Sequence, residues 1–346
     1  MKWLPAAERR GRGPVLTAAL VFLALRPAVA EPPTAGELAA RDVPATTYSI
    51  VARDPKTGEM GVAVHSHWFQ IAHYTPWAKA GVGAVATQAL TNKRYGADGL
   101  ALLEQGLTPE TAIAKLTSAD AEHDRRQVAI VDAKGRAAGW TGTKCIQAAG
   151  HFVGRGFVAQ ANMMANRHIW PAMATAFEST EGRLAERLLA ALRAAEAAGG
   201  DVRGRQSAAL LVVPAEVGAG PSIDLRVEDH ATPVHELGRL LNIHRAYTAL
   251  GEAQSLVESG NLDAAAARMD EVTKRLPDRT ELPFWYALTL HEHGQTDRAL
   301  EILIPLVRNE PRWRTTLERL PAADLLDRTM LDRVLKGADG RSAKPH

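Results

Sequence analysis

Cysteine is almost absent from this sequence, with one in 346 residues. A single thiol excludes a disulfide framework and any zinc module built on several cysteines. Charge of one sign is also scarce, since 41 lysines and arginines stand against 39 aspartates and glutamates. That balance argues against a dedicated nucleic-acid-binding protein, which carries a strong basic excess. Apolar residues make up 46% of the chain, enough for a folded core, and the length favours two domains.

The apolar run near the start is too short to cross a bilayer. It covers the eleven residues 15–25, whereas a membrane-spanning helix needs about 20. A basic segment precedes the run, and Ala28-Val29-Ala30 follows it as a small-x-small cleavage site. We therefore predict a signal peptide over residues 1–30, with an uncleaved membrane anchor as the alternative. After cleavage the protein is expected to be periplasmic or secreted, without membrane attachment.

The mature chain begins with a predicted linker and continues as a domain of strands and helices. Residues 31–45 are rich in proline and alanine and show neither a strand nor a helix period. Beyond them, hydrophobic patterning and turn residues predict the element order βββ-αα-βββ-αα-ββ. Strands cluster with strands and helices with helices, which excludes a doubly wound sheet and favours stacked layers. We predict an α+β domain over residues 46–232.

The remainder of the chain, over residues 233–340, is predicted to be helical and repetitive. The sequence GNLD at 260–263 matches GQTD at 294–297, at an offset of 34 residues. Pro277 and Pro311 have the same spacing. A 34-residue period of paired helices is the tetratricopeptide (TPR) pattern, although an ordinary helical hairpin is the alternative.

Small residues in the repeats fall where paired helices must approach closely: Ala253, Ala265, Ala287 and Ala299. Two repeats are fewer than the three or so that are usually stable alone. We therefore expect helices at residues 234–244 and 321–335 to cap them. Such a domain predicts a protein or peptide partner, and self-association into a homo-oligomer is left open.

Several stretches of the first domain resemble, in the same order, a bacterial and archaeal family of unknown function named DUF1028. They are TYSIVARDPKTGEMGVAVHSHWF, PWAKAGVGAVATQAL, YGADGLALLEQGLTPETAIAKL, RRQVAIVDAKGRAAGWTG, GGDVRGRQSAALLVV and IDLRVEDH. The resemblance covers roughly residues 46–245. It implies the four-layer αββα sandwich of the N-terminal-nucleophile (Ntn) hydrolases, the fold of proteasome subunits. The predicted element order agrees with that fold.

The resemblance also implies a nucleophile at the start of the first strand, which is Thr47 here. In Ntn enzymes the free α-amine of that residue acts as its base, and an unperturbed α-amine has a pKa of about 7.7–8.0. By the same resemblance, Lys79 before the third strand would favour the ionised nucleophile; its plain interpretation is a solvated turn residue. A free amine on Thr47 requires a second cleavage after signal removal, and the alternative is that Thr47 is an ordinary β-branched strand residue.

Other candidate site residues follow from chemistry alone. Ser66 is an alternative nucleophile beside His65, although adjacent strand residues point to opposite faces. We assign His65 and Asn162 to substrate binding, since the Asn162 amide could stabilise an oxyanion or cap the chain. Cys145 and His151 are a further nucleophilic pair to consider.

No metal or cofactor is predicted from the sequence. His65 and His67 lie on one face of a strand, but no third ligand at a recognised spacing completes a zinc set. The first functional hypothesis is an exported amide-bond hydrolase of unknown substrate. The second is a binding or assembly protein without catalysis, whose partners dock on the repeats.

Protein isolated from its native host should lack residues 1–30, because the basic start, apolar run and cleavage site form a signal peptide. Intact-mass measurement checks this directly, with the full chain made by translation in vitro as the reference. A native mass that includes Met1 would contradict it.

Overall fold

Two antiparallel sheets and four helices form the N-terminal domain in the computed structural model, which describes residues 43–45 and 47–340. The first sheet contains β1 (Val43–Ala45), β4 (Pro76–Lys79), β5 (Gly83–Thr91), β6 (Arg126–Asp132) and β7 (Ala137–Thr141). The second sheet has the order β11 (Ile223–Val227), β10 (Ser207–Val213), β3 (Met60–Ser66), β2 (Thr47–Arg53), β9 (Phe157–Ala161) and β8 (Gly150–Gly154). The predicted signal peptide lies outside the described residues.

Each sheet is covered on its outer face by a pair of helices. The pairs are α1 (Arg94–Glu104) with α2 (Pro109–Ser118) on the first sheet, and α3 (Ile169–Ser179) with α4 (Leu184–Ala197) on the second. One apolar cluster lies beneath each pair, and a third fills the space between the sheets. Burial of one face of each helix and both faces of each sheet requires four layers. The predicted α+β class and its αββα layering are confirmed.

A tight hairpin joins β2 to β3 and sets their register. The carboxylate of Asp54 accepts hydrogen bonds from the backbone nitrogens of Lys56 (2.7 Å) and Thr57 (3.2 Å). Gly58 adopts a φ of 75° and lies so close to Ala215 that an added Cβ would be 2.8 Å from its side chain. These turn residues leave Thr47 opposite Ser66 at the far end of the hairpin.

The end of the predicted linker is a strand. β1 pairs with the end of β5, with Ala45 opposite Ala89, whereas β2 belongs to the second sheet. The chain therefore passes from one sheet to the other between Ala45 and Thr47. Three residues are too few to show a strand period, so the sequence pattern could not reveal β1. The rest of the predicted linker, residues 31–42, lies outside the described residues.

The C-terminal region is entirely helical in its described part. Its helices are α5 (Pro233–Glu258), α6 (Leu262–Arg275), α7 (Glu281–Glu292), α8 (Thr296–Asn309), α9 (Pro311–Arg319) and α10 (Arg328–Asp339). The four alanines at the predicted helix contacts have no exposed surface, as close packing of paired helices requires. No helix among the described residues has the length and apolar character needed to cross a membrane.

The two domains share α5, which is longer than the predicted cap over residues 234–244. Val234, Leu237 and Leu241 belong to the core under the second sheet, whereas Ala246 and later residues belong to the core of the repeats. By packing, the border therefore lies between 241 and 246 and not at residue 233. No proline interrupts α5 there, so the helix continues across the border.

The predicted C-terminal cap is also shifted. A short 3₁₀ helix occupies Leu320–Ala323, and the capping helix α10 follows it. Asp327 accepts a hydrogen bond from the backbone nitrogen of Met330 (2.8 Å) and so begins α10 later than residue 321.

Truncation after Arg245 should leave the N-terminal domain folded, because the last α5 residues of its core are retained. Truncation after Thr232 should lower the melting temperature strongly, because it uncovers that core; one large-to-small core substitution already costs about 2–5 kcal/mol. Circular dichroism during thermal unfolding measures the melting temperatures of the two truncated proteins. Equal melting temperatures would contradict the role of α5, and loss of a cooperative transition in both would mean that the domains share one core.

Candidate functional site

Apolar packing between the sheets gives way to polar side chains at the end where β2 begins. Alternation along β2 points Thr47 and Ser49 towards the first sheet and Tyr48 towards the helices. Polar residues without exposed surface gather there: Thr47, Ser49, Ser66, Gln88, Gln127, Gln160 and Asn162. We call these seven residues the polar cluster. Buried polar groups are tolerated when they are hydrogen-bonded to one another.

Thr47 is held in this cluster through both its hydroxyl and its carbonyl. Its Oγ1 donates to Ser66 Oγ at 3.2 Å. Its carbonyl oxygen accepts from Gln88 Nε2 at 3.0 Å and from the backbone nitrogen of Asn162 at 3.1 Å. Three of the predicted site residues, Thr47, Ser66 and Asn162, are therefore brought together. The contact with Gln88 ties the start of β2 to the opposite sheet.

Gln127 is the centre of the polar cluster. Its Oε1 accepts from Gln88 Nε2 at 2.7 Å and from Asn162 Nδ2 at 3.0 Å. Its Nε2 donates to Thr141 Oγ1 at 2.9 Å and to the carbonyl oxygen of Ala161 at 3.0 Å. The orientation of its amide thus fixes the side chains of Gln88 and Asn162, the two residues that hold the Thr47 carbonyl.

Sequence reasoning missed the three glutamines of the cluster. Gln160 Nε2 donates to Ser49 Oγ (3.2 Å), and Ser49 Oγ donates to Gln88 Oε1 (2.6 Å). The available signal was a glutamine inside each of three apolar strands, at positions where alternation turns the side chain inward. A buried amide in a strand needs partners from a second sheet, and such partners are invisible in local sequence.

Lys79 does not reach Thr47, contrary to the role implied for it. Its Nζ lies 2.6 Å from Glu104 Oε1 on α1, and both side chains are about half exposed. Lys79 pairs with Gly83, whereas Gln88 is the β5 residue that contacts Thr47. Five residues along a strand span roughly 17 Å. The lysine forms part of a separate strand, β4, which the sequence pattern did not resolve.

His65 is a sequence neighbour of Ser66 but faces away from the polar cluster. Its ring stacks on Tyr48, with centroids 4.5 Å apart and an angle of 17° between the planes. Burial, the largest effect, and the charge of Arg205 lower the pKa of His65 to about 3, so the ring is neutral near pH 7. His65 therefore cannot serve Ser66 as a base in this arrangement.

Cys145 and His151 do not form a nucleophilic pair. The thiol donates to the carbonyl oxygen of Arg126 at 3.3 Å, while His151 Nδ1 lies 2.8 Å from Thr141 Oγ1. Burial raises the pKa of the Cys145 thiol to about 11. At neutral pH this thiol is protonated and a poor nucleophile.

A small cavity of about 190 Å³ adjoins the polar cluster at Asn162. Its wall includes Ala89, Cys145 and Ile146. Two non-glycine residues beside it have left-handed backbone, Ala89 with a φ of 71° and Met163 with a φ of 58°. Such conformations cost energy and are retained where surrounding structure holds them, often at functional sites. The cavity meets the polar cluster through Asn162, whose backbone nitrogen donates to the Thr47 carbonyl.

The fold and the site define an αββα sandwich protein with a TPR domain. Residues 47–237 match DUF1028, described as a family of unknown function, and residues 256–325 match a tetratricopeptide repeat family. A crystal structure of a DUF1028 protein from Silicibacter pomeroyi shares 32% sequence identity at a TM-score of 0.53, covering 57% of this chain and 88% of that one. The chain belongs to the DUF1028 family. No curated protein matches it.

Replacement of Gln127 by leucine should destabilise the N-terminal domain by about 3 kcal/mol or more. The change leaves several buried donors and acceptors unpaired, each at about 1–3 kcal/mol. Chemical denaturation measures the loss. The matched control is Gln105→Leu, at an exposed position in the turn after α1, expected within about 0.5 kcal/mol of the parent. Similar losses for the two variants would mean that the amide of Gln127 does not organise the site.

Proposed function

We propose that this chain is an Ntn-type amide hydrolase whose nucleophile is Thr47, released by cleavage of the peptide bond between Thr46 and Thr47. The observation that carries the proposal is the placement of Thr47. It begins β2 where the chain passes between the sheets, and its hydroxyl and carbonyl are held in the polar cluster beside a cavity.

The proposed reaction has two steps. Thr47 Oγ1 attacks the carbonyl carbon of the substrate amide, and the free α-amine of Thr47 accepts the hydroxyl proton. That proton passes to the departing amine as the C–N bond breaks, which leaves an ester on Thr47. Water then attacks the ester with the same amine as base, and the carboxylic acid product leaves with the Thr47 hydroxyl restored.

Neighbouring residues supply position and polarity. Ser66 orients the Thr47 hydroxyl, and Gln88 holds the Thr47 carbonyl and with it the direction of the new amino group. Asn162 lies at the border of the cavity, but its Nδ2 already donates to Gln127 Oε1 at 3.0 Å and to the Thr47 carbonyl at 3.5 Å. It would therefore shape the substrate site, and the oxyanion of the tetrahedral intermediate would need another donor. Lys79 has no part in this scheme, because its partner is Glu104 on the outer surface.

The uncleaved chain would be a precursor in this proposal. While its nitrogen belongs to an amide, Thr47 lacks its own base, and a threonine hydroxyl without a base is a weak nucleophile. β1 pairs with β5 along Ala89 and Thr91, immediately beside the cavity. Cleavage would detach β1 from its covalent link to β2 and allow this edge of β5 to receive a substrate.

Export is part of the same proposal. The signal peptide would direct the protein to the periplasm or the medium, and its removal after Ala30 would leave Glu31 as the first residue. A second cut is then required to expose Thr47. The proposed hydrolase would act on amides outside the cytoplasm.

The second candidate function is a docking protein without catalysis. TPR repeats generally mediate protein–protein interaction, and this chain carries them directly after the sandwich domain. The observation that favours this candidate is that the Thr47 side chain has no exposed surface in the uncleaved chain. An N-terminus that never reaches Thr47 would leave docking of a protein or peptide as the function.

If the hydrolase proposal holds, some native molecules should begin at Thr47. Peptide mass mapping of the native protein tests this, and hydrolysis of a panel of chromogenic amides tests the chemistry. Thr47→Ala should abolish hydrolysis with a stability cost of about 1–2 kcal/mol, whereas Thr47→Ser should retain a nucleophile.

Thr87→Ala is the matched control, since Thr87 is also fully buried but lies outside the polar cluster. It should keep hydrolytic activity. A single N-terminus at Glu31, together with unchanged activity in Thr47→Ala, would overturn the proposal.

A further inference from the structure

A second cavity lies on the opposite face of the second sheet from Thr47. Its volume is about 530 Å³, and Tyr48 and His65 line it together with Glu196, Asp201 and Arg205. It forms where the ends of β2 and β3 meet the glycine-rich chain after α4. Alternation along the two strands explains its position, because Tyr48 and His65 are the immediate neighbours of Thr47 and Ser66.

This cavity presents polar atoms that have no hydrogen-bond partner among residues 43–45 and 47–340. They are the Tyr48 hydroxyl, both ring nitrogens of His65 and Oε1 of Glu196. Tyr48 has no exposed surface and His65 has 1%. Buried polar groups in native proteins are almost always paired, so groups of this kind around a cavity indicate a bound ligand or ordered water.

The wall of the cavity carries one positive and one negative charge. Arg205 Nε lies 3.1 Å from Glu196 Oε1, but the two groups are not aligned as a hydrogen bond. A partly exposed ion pair of this kind contributes little to stability, so a ligand can separate it at small cost. The carboxylate of Asp201 is already neutralised by Arg203, at 2.7 Å. The cavity therefore has no net charge. Arg205 is its positive pole and Glu196 its negative pole.

Tyr48 and His65 form the cavity floor as a stacked pair, with ring centroids 4.5 Å apart. Burial, followed by the negative charge of Glu196, raises the pKa of the Tyr48 hydroxyl. Burial, followed by the positive charge of Arg205, lowers the pKa of His65. Both side chains are therefore uncharged near pH 7, and each can donate or accept a hydrogen bond with a ligand.

We propose that this cavity binds a small zwitterion of amino-acid size, with its carboxylate on Arg205 and His65 and its ammonium group on Glu196 and Tyr48. Arginine binds a carboxylate through parallel hydrogen bonds, and a neutral imidazole can donate one more. The Glu196 carboxylate and the Tyr48 oxygen accept from the ammonium group. The ligand pairs every orphaned group except one ring nitrogen of His65.

This site is separate from the proposed hydrolytic site and does not rest on it. The strand pair of Tyr48 and His65 is the backbone that also carries Thr47 and Ser66. A ligand on one face would therefore stiffen the strand ends that position the residues on the other face. Binding is expected in the full chain whether or not Thr47 is ever released.

The experiment is a thermal-shift screen of the full chain with the common L-amino acids at millimolar concentration, followed by calorimetry. For the amino acid that binds best, two analogues are compared: its carboxamide, which lacks the carboxylate, and its N-acetyl derivative, which lacks the ammonium group. Each analogue should bind at least about tenfold more weakly, because one charged hydrogen-bonding group is lost. Glycerol serves as an uncharged probe and should give no shift.

Two variants assign the poles. Arg205→Gln should weaken binding of the amino acid at least about tenfold. The variant should then bind the amino acid and its carboxamide with equal affinity. Glu196→Gln should likewise weaken binding of the amino acid and should bind it and its N-acetyl derivative with equal affinity. Arg239→Gln is the matched control, because the Arg239–Glu236 pair has nearly the same exposure, 50% and 21% against 50% and 18%, but lies outside the cavity.

The proposal is overturned if no amino acid shifts the melting temperature of the parent chain, which would mean that water alone fills the cavity. It is also overturned if the carboxamide, the N-acetyl derivative or glycerol binds as well as the amino acid. The analogue series uses the unaltered protein, so it decides the question even if a variant fails to fold.

Discussion

The organisation of the site depends on the hydrogen bonds of the Gln127 side-chain amide. This amide lies between the two sheets, and it fixes Gln88 and Asn162 through hydrogen bonds of 2.7 and 3.0 Å. Those two residues hold the carbonyl of Thr47. An amide in this position is stabilising only if all its partners are present, since an unpaired buried polar group costs more than a paired one contributes. The amide of Gln127 therefore fixes the position of Thr47 through Gln88 and Asn162.

The strand β2 serves two sites because its side chains alternate. Thr47 points into the polar cluster, and Tyr48 points into the larger cavity on the helix side. The neutral state of His65 follows from the same geometry, because the stack on Tyr48 buries the ring and disfavours its charged form. One short segment of chain thus carries a proposed nucleophile and part of a proposed ligand pocket on opposite faces of the sheet.

The helical repeats depend on the sandwich through α5. The first half of α5 completes the core beneath the second sheet, and its second half begins the repeat core. Because a helix is rigid over this length, α5 fixes where the repeats begin relative to the sandwich. The grouping of strands and helices, the 34-residue period and the buried alanines were predictable, since they arise from local patterning and residue size. The short strands β1, β4 and β8 were not. The continuity of α5 was not, because local patterning does not show which of two cores receives each turn of a helix.

Among the candidate site residues, Thr47 followed from the family resemblance, and Ser66 and Asn162 were chosen because strand ends are local properties of the sequence. The opposite directions of Ser66 and His65 were likewise predictable from strand alternation. The roles of Gln88 and Gln127 and the absence of Lys79 from the site were decided only in three dimensions. Lys79, which the family resemblance placed beside Thr47, lies on the separate strand β4 and pairs with Glu104. A buried glutamine finds its partners across an interface whose two sides are far apart in sequence, so only the packing of the sheets determines which amides meet.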